Sequence, residues 1–118
     1  MADVRLTVQE FTRAGSGLVP TYKSDMATAD TYFVPNDGRT VVHFTNTGGS
    51  NSVVTVVTPA TVDGQSVADP TYTVALTSGN KFIGPFPPNT YNVAATGELS
   101  FTLTNADDVS CAVFRMPI

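Results

Sequence analysis

An all-β fold is predicted for this chain of 118 residues on three observations. Thr and Val, which are both β-branched, are the two commonest residue types, with 18 and 16 copies. Branching at Cβ favours the pleated strand over the helix. Nine glycines and eight prolines interrupt the chain, which leaves few stretches long enough for a three-turn helix. Short strands separated by turns about 8–12 residues apart are typical of a sandwich or barrel.

The length fits one domain with one core, so we expect a single unit over residues 1–118. The expected architecture is a single antiparallel β-sandwich, of jelly-roll or immunoglobulin-like type, or a small barrel. Strand order does not follow from the sequence, and all three options stay open. Residues 1–35 are expected to be partly an extended arm.

The first 35 residues carry the weakest strand signal. Val4, Leu6 and Val8 alternate with polar residues and suit an edge strand. Residues 13–22 (RAGSGLVPTY) are expected to form an irregular N-terminal arm, and residues 25–29 (DMATA) suit one helical turn.

The end of the chain contains the clearest strand. Apolar and polar residues alternate strictly over 99–104, so one face is expected to pack inward. Residues 105–108 (NADD) form a turn rich in Asx residues, and 109–116 returns as the last strand. These two strands are expected to pair as a hairpin.

In the middle of the chain, turn sequences again separate segments that are predicted to be strands. A turn at 35–38 leads into a strand over 40–46, and 52–58 (SVVTVVT) is apolar on both faces, which suits a covered central strand. Asp63-Gly64 predicts a tight turn, and the three prolines of 84–89 predict a rigid loop or corner. Further strands are expected over 71–76, 81–83 and 91–93.

Composition excludes several classes of protein. The net charge is −4, and the six basic residues are scattered, so a nucleic-acid partner is not expected. The single cysteine excludes an internal disulfide framework and a Cys-rich zinc site, and it suggests a reducing compartment. No apolar run is long enough for a membrane helix, and the N-terminus does not have the pattern of a signal peptide.

Residues with catalytic chemistry are few. His43, the one histidine, has the opposite parity to Val42 and Phe44 in its strand, so we expect it at the surface or at an edge. Cys111 is expected to be a buried structural thiol. Carboxylates occur at turns, without the spacing of a calcium loop. We therefore expect no catalytic, cofactor-binding or metal-binding residues, and a binding or structural protein rather than an enzyme.

Several turn and corner sequences resemble those of a known group of proteins. They are DGRT at 37–40, NTGG at 46–49, TPATVDG at 58–64, FIGPFP at 82–87 and, near the N-terminus, LTVQ at 6–9, RAG at 13–15 and PTY at 20–22. In these the chain resembles small β-rich structural proteins of tailed bacteriophages, namely head decoration and minor capsid proteins. The resemblance covers most of the chain, and its motifs carry no catalytic residues.

The resemblance implies a virion structural protein, made in the host cytoplasm, that decorates and stabilises the outside of the capsid. Its implied partners are the major capsid protein and further copies of itself, with a trimer as one option. The irregular arm supplies candidate capsid contacts, since an extended segment can add a strand to a sheet edge. These residues are Arg13, Leu18, Val19 and Tyr22. The alternative for the arm is that it packs only on its own domain.

Two other functions stay open at this point. One is a tail-associated virion subunit, which the same resemblance allows. The other is a module that binds carbohydrate or a cell-surface ligand, which would be favoured if Tyr72, Tyr91 and Phe86 lined one open groove.

Overall fold

Two β-sheets form the fold, which we describe from a computed structural model for residues 3–13, 17–66, 68–93 and 96–116. A short helix, α1, follows the ninth strand. In chain order the elements are β1 (Asp3–Arg5), β2 (Val8–Glu10), β3 (Thr31–Pro35), β4 (Thr40–Asn46), β5 (Ser52–Val56), β6 (Thr61–Val62), β7 (Gln65–Ser66), β8 (Thr71–Val74), β9 (Gly79–Ile83), α1 (Pro88–Tyr91), β10 (Glu98–Leu103) and β11 (Val109–Arg115).

The strands divide between a five-stranded sheet, a four-stranded sheet and a separate hairpin. The five-stranded sheet has the order β1-β3-β10-β5-β8, the four-stranded sheet has the order β2-β11-β4-β9, and β6 pairs with β7. The all-β prediction is therefore confirmed. The expectation of purely antiparallel sheets is wrong, because β1 runs parallel to β3 and β2 runs parallel to β11. The N-terminal segment thus adds one short strand to an edge of each sheet.

The core lies between the two sheets and is built from alternate residues of the inner strands. Tyr32 stacks on Phe101 with ring centroids 5.4 Å apart, and Phe44 meets Phe101 edge to face at 5.3 Å. All three side chains are buried, and each fully buried side chain of this size contributes about 1.5–3 kcal/mol relative to exposure. Valines fill the remaining space: Val34, Val42, Val54, Val74, Val109 and Val113.

Several predicted elements are confirmed. The strand over 40–46 is β4, and β5 has the predicted central position between β10 and β8, although it ends at Val56 and not at Thr58. The Asp63-Gly64 turn joins β6 to β7 with φ of 51° and 76°, the left-handed pair that a tight hairpin turn requires. The proline-rich segment 84–89 is irregular up to the start of α1.

The predicted hairpin at the end of the chain is wrong. Both strands exist, but β10 belongs to the five-stranded sheet and β11 to the four-stranded sheet. The turn between them crosses from one sheet to the other and accepts hydrogen bonds from residues at the ends of strands in both sheets. The Ser52 hydroxyl donates to the Asn105 carbonyl oxygen at 2.6 Å, and the Thr47 amide donates to the Asp108 carbonyl oxygen at 3.1 Å.

Two shorter elements also differ from the prediction. The strand expected over 91–93 is absent among the described residues: Tyr91 ends α1, and Val93 forms a single bridge with Glu98. The Pro88 ring at the start of the segment has the fixed φ that suits a helix N-terminus. Residues 25–29 contain a turn at 28–29 instead of a helical turn. Within the described residues, no helix is long and apolar enough to cross a membrane.

Candidate functional site

The outer face of the four-stranded sheet is uncharged and rich in aromatic side chains. Strand register places His43 beside Phe82 on one side and beside Ala112 on the other. None of the outward positions of the four strands holds Asp, Glu, Lys or Arg. These positions are Gln9 on β2, Val41, His43 and Thr45 on β4, Asn80 and Phe82 on β9, and Ser110, Ala112 and Phe114 on β11.

Five rings form a continuous row across this face, which we call the aromatic row. Phe82 stacks on His43 with centroids 4.1 Å apart, and Tyr22 meets the other side of His43 at 5.6 Å. Tyr22 also contacts Phe114 at 6.4 Å, and Phe11 stacks on Phe114 at 5.4 Å. The row therefore runs from the β2 edge of the sheet to the β9 edge.

His43 is held in the row by both ring nitrogens. The Tyr22 hydroxyl forms a hydrogen bond with Nδ1 at 2.8 Å, and Nε2–H donates to the Asn80 side-chain oxygen at 2.5 Å. The predicted outward parity of His43 is correct, but the expected exposure is wrong, because Phe82 and Tyr22 cover the ring and leave it 7% exposed. The hydrogen-bond partners of its two ring nitrogens are therefore a tyrosine hydroxyl and an amide oxygen.

The aromatic row leaves a large apolar area open to solvent. Phe82 is 63% exposed, and Met116, Phe11 and Tyr22 are 55%, 41% and 37% exposed. At about 150–250 Å² for a whole aromatic side chain, these four residues together present roughly 400 Å², which is the size of the largest and often functional apolar patch of a typical monomer, about 300–600 Å². This face is therefore a candidate binding surface.

The outer face of the five-stranded sheet has the opposite character. Arg5 lies over the Phe33 ring at 5.0 Å and pairs with Glu98 at 3.5 Å. Hydroxyl side chains occupy most of the remaining outward positions: Thr31, Thr55, Thr71, Thr73, Ser100 and Thr102. One sheet thus carries hydroxyls and charges on its outer side, and the other carries uncharged aromatic rings.

The predicted arm is anchored to the β2–β11 side of the four-stranded sheet. The Gln9 amide donates from Nε2 to the Thr21 carbonyl oxygen and accepts the Thr21 N–H at Oε1, both at 2.8 Å. Two residues further on, Lys23 forms an antiparallel bridge with Cys111 through two backbone hydrogen bonds. The end of the arm therefore has a fixed position on the domain.

The four predicted contact residues of the arm have different positions. Arg13 and Val19 point outward, with Val19 85% exposed, and Leu18 is half-buried. Tyr22 lies in the aromatic row. Residues 14–16, which the prediction included in the arm, lie outside the described residues.

A cleft of about 430 Å³ separates the arm from the strand edge, between residues 5–9, 21–23 and 111–113. Cys111 lies at this cleft but is only 1% exposed, as predicted for a structural thiol. Burial raises the pKa of the Cys111 thiol to about 12, so the thiol stays protonated and unreactive at neutral pH.

Tyr72, Tyr91 and Phe86 do not form the open groove that would favour a carbohydrate-binding module. Phe86 contacts Tyr91 at 4.9 Å and Tyr72 at 6.4 Å, so the three predicted rings do meet. However, Phe86 is buried at 4% exposure, and the two tyrosines pack against the core. The three rings close one end of the core and do not line an open groove.

Sequence reasoning missed the aromatic row because its rings come from five separate segments. The signal was present in the parity of each strand, since Phe82 and Phe114 both occupy outward positions next to uncharged neighbours. Only the register of β4 against β9 and β11 brings them together. Within the described residues, no three His, Cys, Asp or Glu side chains gather as a metal site would need.

The fold and this surface define an all-β protein of two packed sheets with one aromatic, uncharged face. No protein-family model, curated protein or solved structure matches the chain.

Proposed function

We propose that this chain is a virion structural protein that binds the outside of a bacteriophage head as a decoration, or cement, protein and stabilises it. Its main partner is the major capsid protein, and its place is the capsid surface after synthesis in the host cytoplasm. The resemblance of its turn and corner sequences to phage head proteins supports this assignment. The position of the arm supports it independently.

The observation that carries the proposal is an exposed apolar residue on an anchored segment. Val19 is 85% exposed, while two hydrogen bonds at Thr21 and two at Lys23 hold the chain just beyond it. A segment fixed at its base loses less conformational entropy on binding than a free tail. Burial of Val19 and the rest of Leu18 on a capsid subunit contributes about 25 cal/mol per Å², and many copies on one lattice multiply the effect.

The strand pairing supports a finer fold type, which we propose is a jelly roll. Four antiparallel pairs are nested around the tip of one long hairpin: β6 with β7, β5 with β8, β4 with β9, and β3 with β10. A jelly roll is such a hairpin rolled into two sheets, and it occurs in viral capsid and lectin domains. On this assignment β11 and β2 extend the second sheet beyond β4. Because a fold alone does not fix a function, the virion assignment rests on the arm and the sequence resemblance.

Composition of the virion tests the proposed function directly. Virions from the phage that encodes this chain are purified, and the chain is measured by mass spectrometry against the major capsid protein. A fixed ratio on the head supports the proposal. Absence of the chain from the particle overturns it, and cryo-electron microscopy that locates it on the tail replaces decoration with the tail-associated alternative.

The arm contact predicts the behaviour of one variant. We expect V19D to lower binding to virions that lack the protein by about tenfold, because a charge would be buried at the contact. The matched control is T73D, which places the same charge at an exposed position of the other sheet and is expected to bind as the wild type does. Equal binding of V19D and T73D would remove the arm from the interface.

A further inference from the structure

We infer that the outer face of the four-stranded sheet, with its aromatic row, is an interface between copies of this chain. The inference concerns the surface itself and does not depend on the virion assignment. The partner is a second copy, which presents the same apolar patch. Charge, exposed area and the state of the neighbouring sheet edge each favour this occupant.

Charge selects this face over the rest of the surface. Each copy has a net charge of −4, so contact between copies through most surfaces brings like charges together. The outward positions of the four strands hold no Asp, Glu, Lys or Arg. At the rim, the Arg115 guanidinium already pairs with Glu10 and Asp37 of its own copy. Two copies can therefore meet at this face with little repulsion.

The exposed area fits a self-complementary contact. Phe11, Tyr22, Phe82 and Met116 expose roughly 400 Å², which is about half of the 800 Å² or so that a standard interface buries per partner. The polar residues around the row, such as Thr45 and Asn80, supply the remainder as a rim. An identical patch on the second copy offers the same area in return, as a twofold contact requires.

The free edge of the same sheet is a less favourable contact. β9 is the edge strand opposite the β2 edge, and Lys81 lies at its centre. Antiparallel pairing of β9 with β9 of another copy about that centre would place two ammonium groups side by side. A lysine on an edge strand is a common obstacle to edge pairing. The face is therefore favoured over the edge.

The aromatic row is also rigid before contact. Phe82 is fixed by its stack on His43, and His43 is fixed by hydrogen bonds to Tyr22 and Asn80. Side chains that are already ordered lose little rotamer freedom on association. Exposed rings held in this way are typical of the central residues of an interface.

Sedimentation velocity of the full-length chain over a concentration series tests this inference. We expect the wild type to associate as its concentration rises. F82E places a carboxylate at the most exposed ring of the contact and is expected to raise the dissociation constant on the order of tenfold or more. T73E, at an exposed position of the other sheet, is the matched control and is expected to associate like the wild type.

The outcomes separate this inference from the proposed function. A dimer or larger closed oligomer that F82E dissociates and T73E does not supports the inference. A wild type that stays monomeric at all concentrations, or an oligomer that survives F82E, overturns it. Circular dichroism and the urea midpoint of F82E show whether the variant keeps its fold. F82S is a second variant, which removes the ring without adding a charge. Absence of the chain from virions would leave this result unchanged.

Discussion

Asp69 is a surface carboxylate that holds the chain between β5 and β8. The Thr58 hydroxyl donates to its Oδ1 at 2.6 Å, and the Thr58 backbone N–H donates to the same oxygen at 2.9 Å. The hydroxyl bond, followed by the backbone bond, lowers the pKa of Asp69 below its ordinary value of 3.8. Both bonds favour the ionised form, because a carboxylate accepts hydrogen bonds more strongly than a neutral carboxyl group.

This lowered pKa predicts a pH-dependent part of the stability. A carboxyl group with a lower pKa in the folded state stabilises the fold above its unfolded value. That contribution is expected to be complete above about pH 5 and to be lost as the pH falls through the lowered pKa. We expect D69N to be less stable than the wild type at pH 7 and to lose less stability on acidification, as measured by urea unfolding between pH 7 and 2.

The T58V variant identifies the cause of this effect. It removes the hydroxyl donor and keeps the carboxylate and the shape of the side chain, so it is expected to flatten the pH profile in the same direction as D69N. A T58V protein with the full wild-type pH dependence would show that the Thr58 hydroxyl is not the origin of the lowered pKa.

The corner that joins β4 to β5 depends on the close approach of two loops. A Cβ on Gly48 would lie 2.7 Å from the carbonyl oxygen of Asp107, in the turn between β10 and β11, whereas a Cβ on Gly49 would meet nothing within 4 Å. The Gly48 amide also donates to the side-chain oxygen of Asn46 at 3.0 Å. Adjacent glycines therefore have different roles, and only Gly48 permits contact between the loops.

A pair of alanine substitutions tests this difference at the corner. G48A is expected to lower the free energy of unfolding by about 1–3 kcal/mol, because the loops must separate to admit the methyl group. G49A is expected to be neutral or to stabilise by up to about 1 kcal/mol, because it restricts the unfolded chain without a clash. Urea unfolding followed by circular dichroism gives both values. Equal losses would contradict the loop contact.

The same corner shows which parts of the fold can be predicted from the sequence. Alternation of polar and apolar residues located β4, β5, β10 and β11, because one buried face imposes a period of two. Alternation could not tell whether two consecutive strands are neighbours in one sheet or face each other across the core, since the inward residues are the same in both arrangements. The turn at 105–108 was therefore predicted as a hairpin, although it joins the two layers.

At the scale of the whole molecule, the contrast between the two outer faces decides the proposed interactions. Sequence parity predicted which way His43 points, but the aromatic row also needs Phe11 and Tyr22, which lie outside or beside the strands. Their positions depend on where the arm crosses the sheet, a tertiary contact that a local pattern does not contain. The aromatic row therefore depends on strand register and on the position of the arm together.

An uncharged interface between acidic copies predicts that association becomes tighter as salt is added. A dimer of two chains of −4 carries a charge of −8, and no ion pair across the aromatic row offsets the repulsion between the copies. Screening shortens the Debye length from about 30 Å at 0.01 M salt to about 10 Å at 0.1 M. Added salt is therefore expected to tighten association. Sedimentation at 0.02 and 0.5 M sodium chloride measures the change, and F82E is expected to remain dissociated at both. Association that weakens with salt would indicate ion pairs between copies and would place the contact on a charged surface instead.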